Sequence, residues 1–466
     1  MAAVPNFSDL AASRRRLLQA TGVGAVASLL AACGAGGSTT GAGAATTSAT
    51  GASSTAGSGA AASSTASTAA GGSGSTVTVL CEAGGQAELT KVAAAFQQST
   101  GHKVSLVTLP YDGLFSRVSS ELASGTLSFD IAALDAVWLP TLAGKLAPLD
   151  SLYTPAVKSD LFPSLVSGAQ INGKYVGMPV WTNAEILYYR KDLFGAPAEQ
   201  AAFQKRFGYA LTPPTTWQQF QDAAQFFTRG PNLYGTDVKG AVETEWLAHV
   251  LQAGSPGVVL DDQGKVIIDN PEHLAALTFY ANLNNTYKVA PAGAAQTDWA
   301  AAQNLFNQGK TAMMRFWAHE YPLIPKDSPV SGKVGVAPMI AGPAGRAGIP
   351  GPWYLSAPTG GKNADVVTEF IKSAYDNNAL CVQSSLGLAA RKSVLAMYAA
   401  KPAYPHYVAL AATLNAPATR SRPATPKWQQ IVDTVLVPML QKSLTPGADY
   451  AGLLSSAKSQ VQSLVG

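Results

Sequence analysis

Residues 76–134 read TVTVLCEAGGQAELTKVAAAFQQSTGHKVSLVTLPYDGLFSRVSSELASGTLSFDIAAL. The β-branched run 76–80 predicts a strand, which Gly84-Gly85 breaks. Leu89, Val92, Ala93 and Phe96 then fall at helical spacing, and Gly101 ends that helix. Residues 104–109 predict a second strand. Residues 114–122 predict a second helix with Val118 and Leu122 inward, and 130–134 a third strand. Strand, helix, strand, helix, strand is the rhythm of a parallel sheet covered on both faces, an α/β fold. Ligands of such sheets bind beyond the C-terminal strand ends. Those ends are 81–86, 110–113 and 135–138, which makes Glu82, Gln86, Asp112, Asp135 and Trp138 candidate contacts. Glu88, one step into the first helix, reads as solvent-facing.

Downstream, Asn172-Gly173-Lys174 is a tight polar turn, 175–181 is extended, and Leu187-Tyr188-Tyr189 is a strand. Thr216-Trp217-Gln218-Gln219 has the form of a helix-capping box. Helices are expected near 272–284, 300–307 and 365–377, strand-like pieces at 312–316, 334–338 and 354–357, and a largely helical tail from residue 426. No internal repeat is sustained along the chain.

Upstream, Ser13-Arg14-Arg15-Arg16-Leu17-Leu18 is a twin-arginine signature ahead of a mildly apolar stretch that ends in Leu30-Ala31-Ala32-Cys33. A charged start, an apolar middle and small residues before a cut site mark an export signal. That stretch holds Gly22 and Gly24 and falls short of the roughly 20 strongly apolar residues a membrane span needs. Residues 34–76 contain only Gly, Ala, Ser and Thr. Such a segment cannot bury enough surface to offset its ordering entropy, and random-chain scaling gives it a span of roughly 35 Å. It reads as a tether.

The 390 residues after Thr76 suffice for two lobes with sizeable cores. Beyond the leader the chain carries a net charge of only +2, with no basic run, which argues against nucleic acid as a partner. Cys81 and Cys381 read either as a possible disulfide or as small buried apolar residues. His102, His249, His273, His319 and His406 are scattered without metal-ligand spacing, and no zinc or calcium signature, nucleophile elbow or phosphate loop is present. Asp261-Asp262-Gln263-Gly264 reads as a turn, although carboxylate pairs alone could serve a glycosidase. Tyr188-Tyr189 reads as a buried strand face rather than a ferric-ion site.

An ordered series of motifs carries a family resemblance over nearly all of 76–466. It comprises Phe129-Asp130-Ile131 through Leu134-Asp135-Ala136-Val137-Trp138, then Leu146-Ala147-Pro148-Leu149-Asp150, and 175–181 leading into 187–193. Pro214-Thr215-Thr216-Trp217, Phe306-Asn307-Gln308-Gly309-Lys310 with Trp317, 351–358, and Gly387-Leu388-Ala389-Ala390-Arg391-Lys392 follow in order. Together they resemble extracellular solute-binding proteins of ABC importers, in the sugar-binding, maltose/trehalose-type family. Leu-Ala-Ala-Cys33 likewise resembles a bacterial lipoprotein box.

The resemblance implies a type II periplasmic-binding-protein-like fold: two α/β lobes on a three-segment hinge, with the ligand cleft between them. The expected division is a signal peptide at 1–32, a tether at 33–76, one lobe from 77–182 plus 312–356, and the other from 183–311 plus 357–466. Crossings are expected at 175–193, 306–317 and 351–358, with 387–392 as a late loop. The resemblance places Trp181, Trp353 and Trp317 as sugar-stacking rings and Trp138 either as a fourth or as a cap on the first lobe's core. Asp135, Asn183 and His319 stand around them with Gln86, Glu82 and Asp112 of the strand ends. Arg391 reads as a ligand contact or a tie on its own loop, and Trp246 as a wall of the second lobe or a core residue of its helix. Asn183 stands where the family often has aspartate, and His319 where an aromatic is common. The implied function is capture of a di- or oligosaccharide by hinge closure and delivery to permease subunits. The protein would be a monomer without cofactor or catalytic residues, lipid-anchored through Cys33 on the outer membrane face. An exported carbohydrate-active enzyme, or a binding protein for a polyol, polyamine or peptide, stays open as an alternative.

Overall fold

The computed structural model describes residues 74–466. The expected leader 1–32, Cys33 and the tether up to residue 73 lie outside the described residues. The opening rhythm is present as β1 (Thr76–Glu82), α1 (Gln86–Thr100), β2 (Lys103–Leu109), α2 (Tyr111–Ser124) and β3 (Ile131–Asp135). Each helix ends on a glycine that only a residue without a Cβ adopts cheaply: Gly101 at φ 78° and Gly125 at φ 74°, each donating its N–H back to the helix.

A central pair follows, β4 (Met178–Trp181) and β5 (Glu185–Arg190), joined by three residues. Next come α3 (Trp217–Phe227), α4 (Thr244–Gln252), α5 (Pro271–Asn285) and α6 (Trp299–Asn307). After them lie β6 (Met313–Trp317), β7 (Val334–Ala337), β8 (Trp353–Ser356), α7 (Ala364–Asp376), α8 (Lys392–Ala399), α9 (Pro405–Leu414) and a helical tail closed by α10 (Tyr450–Val465). At α3, Thr216 accepts from the Gln219 N–H as a cap should, but the Gln219 side chain accepts from Thr215 rather than Thr216.

Two sheets organise these elements. The first has five strands in the order β2-β1-β3-β8-β4. β1 is parallel to β2 and β3, while β8 runs antiparallel between β3 and β4. The second has three antiparallel strands in the order β6-β5-β7.

This pairing corrects the expected division of the chain. β6 and β7 hydrogen-bond to β5, so 313–337 builds the second sheet and not the first. Conversely α7 lies against the first sheet's cover, where Phe370 meets Phe96 of α1 edge-on at 5.2 Å. The segment 306–317 is therefore no crossing; it is α6 running into β6. The connections between sheets are 182–184, 347–352 and the stretch around 388–391. They lie side by side: Thr182 N–H donates to the Ala389 carbonyl at 3.2 Å, and Gly351 N–H to the Asn183 carbonyl at 2.8 Å.

Two smaller expectations are settled here. Cys81 and Cys381 are both buried free thiols, and burial pushes Cys81 up to about 12. Glu88 is fully buried, against the expectation of solvent: its carboxylate accepts from Leu388 N–H at 3.3 Å, and burial pushes it up to about 8.

Candidate functional site

The register of the first sheet brings the site together. Trp353, at the start of β8, lies opposite Asp135 on β3 and opposite Trp181 on β4. Opposed residues of an antiparallel pair point to the same face. Trp181 and Trp353 are stacked, with centroids 5.7 Å apart and planes 22° apart. Trp138 meets Trp353 edge-on at 5.6 Å, and Tyr111 packs on Trp138 at 4.5 Å and edge-on against Trp353 at 6.1 Å. Trp181 and Trp138 are buried, and Trp353 is the half-exposed member. Gly85 closes the edge of this box, since a Cβ there would come within 3.3 Å of the Trp181 ring.

Polar groups ring the aromatic face. Asp135 caps the short turn after β3 by accepting from Val137 N–H at 3.2 Å. It also accepts from the Tyr111 hydroxyl at 3.0 Å and from Arg422 at 3.4 Å. Glu82 is buried at the end of β1, and desolvation, with Asp135 adding repulsion, pushes it up to about 8. Gln86 folds back so that its side-chain oxygen accepts from Gly84 N–H at 2.6 Å. Asp112 lies in the first turn of α2.

The facing wall comes from the second sheet. Trp317 ends β6 beside the 347–352 crossing, and a Cβ on Gly351 would come within 3.0 Å of its ring. Trp299 packs on Trp317 at 5.6 Å and on Phe316 at 5.2 Å. The Lys239 ammonium sits over the Trp299 ring at 5.4 Å. Behind this wall, Lys239 pairs with Asp237 at 2.7 Å and with Glu245, and Arg315 pairs with Glu245 and contacts His249 at 2.7 Å. Glu185, fully buried beside them, is held far above the usual carboxylate range by burial and then by Glu245. Glu243 is also raised by burial, and Arg422 opposes that shift. The Arg422 charge thus acts on Asp135 at the end of β3 and on Glu243 at the start of α4.

Three of the expected contacts fall elsewhere. Arg391 sits toward the Met178 end of β4, away from Trp181, in a recess of about 330 Å³ shared with Asp160 and Tyr375. Its guanidinium is spent on Asp160 at 2.7 Å and on the carbonyls of Tyr375 and Asp376, so it ties down the 388–391 crossing. Trp246 is fully buried in α4 against His273 and belongs to the core. Asn183 clips two segments together. Its side-chain oxygen accepts from Ala184 and Ala318 N–H, both at 3.0 Å, and its amide nitrogen lies 2.6 Å from His319 Nδ1. Burial lowers His319 to about 4, which keeps it neutral.

Sequence reading did not single out Tyr111, Arg422 or Trp299. Tyr111 lay inside a strand end already singled out, but Arg422 is 287 residues from its partner Asp135 and no local pattern joins them. Among the described residues, no group of three or more His, Cys, Asp or Glu is placed to hold a metal ion.

Comparison with known proteins gives a consistent set. The profile of the bacterial extracellular solute-binding proteins matches residues 82–379. A probable ABC transporter-binding protein of Deinococcus radiodurans is 30% identical over 329 residues, covering 66% of this chain and 75% of the relative. Maltose-bound MalE3 of T. maritima superposes with a TM-score of 0.68 at 26% identity, covering 84% of this chain and 99% of that one. A solute-binding protein of an ABC transporter from Agrobacterium radiobacter, in complex with ribitol, does so with a TM-score of 0.66 at 26% identity, covering 84% and 99%.

Proposed function

Because the chain belongs to the bacterial extracellular solute-binding proteins, we propose that it captures a carbohydrate of di- or oligosaccharide size by hinge closure and hands it to the permease of an ABC importer. Its fold is the type II periplasmic-binding-protein fold, with two α/β lobes on a three-segment hinge. Proteins of this family work outside the cytoplasm as transporter components.

The observation that carries the sugar reading is the row Asp135–Trp353–Trp181 across three adjacent strands, with Arg422 paired to its acidic end. Sugar rings present polarised C–H faces that pack on aromatic planes, and hydroxyls that bond strongly to carboxylate and guanidinium. A box with rings on one side and ionised groups along one rim meets both demands. Two of the solved relatives hold maltose and ribitol, so a polyol fits the same chemistry.

A thermal-shift screen of the purified chain over sugars and polyols tests this. A ligand at 100 times its dissociation constant adds about 2.7 kcal/mol, an easily read shift. Binding without turnover supports a transport component, and product formation would support an exported carbohydrate-active enzyme instead. The leader and the Leu-Ala-Ala-Cys33 box support lipid anchoring through Cys33. Cys33→Ser should move the protein from the membrane fraction to the medium; full retention would remove that part of the reading.

A further inference from the structure

The aromatic chamber holds more carboxylates than it has cations to pair them. Asp135 is paired with Arg422 at 3.4 Å. Glu243, 9% exposed, faces the same guanidinium electrostatically from the N-terminal end of α4. The Glu82 side chain, 7% exposed, makes no hydrogen bond or ion pair with the described residues. Arg422 therefore answers Asp135 and Glu243, and Glu82 is left without a cation. A carboxylate taken from water without a partner must either hold a proton or meet a cation. Burial and Asp135 both push Glu82 toward the proton-bound form in the empty site.

A second group is also unanswered. Arg422 Nε is buried with no acceptor. A ligand that completes the chamber thus brings a lone pair to Arg422, a positive charge to Glu82, and an apolar C–H face to Trp353. A polyamine offers no acceptor and is repelled by Arg422; a neutral sugar gives Glu82 no cation, so its carboxyl keeps its proton. An ammonium group gains from the ring faces as well.

We propose that the chamber prefers a hydroxylated ring bearing a protonated amine, an amino sugar or aminocyclitol, over its neutral counterpart, with Glu82 as the group that selects the amine. This rests on the carbohydrate reading of the same site. Titration calorimetry near neutral pH, on the full chain, decides it with matched sets: glucosamine, N-acetylglucosamine and glucose, and the β-1,4 glucosamine dimer, N,N′-diacetylchitobiose and cellobiose. The amine member of a set should bind at least about ten-fold tighter than both neutral members, about 1.4 kcal/mol. Glu82→Gln should bring it level with them. Neutral members binding as tightly as the amine, or an amine preference that survives Glu82→Gln, overturns the inference and leaves the carbohydrate reading standing. No binding from these sets or from the wider sugar and polyol panel would remove both.

Discussion

Trp353 and Trp246 make opposite predictions from the same residue type. Trp353 is half-exposed, with Trp181 stacked behind it and Trp138 and Tyr111 at its edges. Its free face is the proposed contact surface. Trp353→Ala should weaken sugar binding by about 1–3 kcal/mol, the scale for losing a desolvated aromatic contact. Calorimetry on a variant that still melts cooperatively checks this, and unchanged affinity would take Trp353 out of the site. Trp246 has no exposure at all. Trp246→Ala should cost about 3–5 kcal/mol of stability through the cavity it leaves, read as a lowered melting temperature. Sequence alone could not separate the two, since exposure depends on which face of α4 meets its neighbours. Glu88 shows the same limit: near the start of a helix it reads as solvated, yet the 384–388 loop packs over it. Asp135 was singled out as the end of a strand that the hydrophobic pattern located, whereas Trp181 and Trp353 were singled out by the family resemblance.

Among the elements, β1 to β3 and their helices were legible from periodicity, because each buries one face at a regular spacing. The pairing of β6 and β7 with β5 was not. Four- and five-residue strands say nothing of their partners, and the lobe boundary moved for that reason alone. The 347–352 crossing carries a sharp constraint. A Cβ on Gly351 would sit 3.0 and 3.1 Å from two Trp317 ring atoms. Gly351→Ala should tilt that ring, with an overpacking cost of about 1–3 kcal/mol and a several-fold loss of affinity. Unaltered binding would show that Trp317 is not held for the ligand. Element α1 supplies a pH prediction. Glu88 is raised from 4.5 to about 8, and Glu82 and Glu320 are raised likewise, to about 8 and about 7. Between those limits the folded state binds more protons than the unfolded one, so stability falls as pH rises. Above about pH 7.5 the buried histidines His249, His273, His319 and His406, all lowered by burial, are nearly neutral in both states and add little slope. The melting temperature should therefore drop between about pH 7.5 and 8.5, and Glu88→Gln should flatten the decline. A variant with an undiminished slope would place the titration elsewhere.

At the scale of the molecule, three backbone segments join the two sheets, and beside them runs the strap that follows α9. Arg420 of this strap pairs with Asp262 at 3.2 Å, and two residues on Arg422 pairs with Asp135 of the first sheet at 3.4 Å. Ser421 between them donates to the Ser164 carbonyl at 3.1 Å. The first pair is exposed and contributes little, while the second lies largely out of water and is held among other carboxylates. Under the proposed hinge closure, a rotation that separates the walls would break the Arg422–Asp135 pair, and the pair would then favour the closed form. A ligand that bonds both partners shifts the population only by its differential affinity for that form. Arg422→Ala should therefore enlarge the radius of gyration of the ligand-free protein in small-angle scattering. Wild type should compact, or stay compact, on saturation with sugar. The variant should need the ligand to reach the same radius, and it should bind more weakly because closure must then be driven by ligand contacts alone. Identical ligand-free radii for wild type and variant would mean that the hinge segments, with Asn183 clipped between Ala184 and Ala318, set the lobe angle without help from the strap.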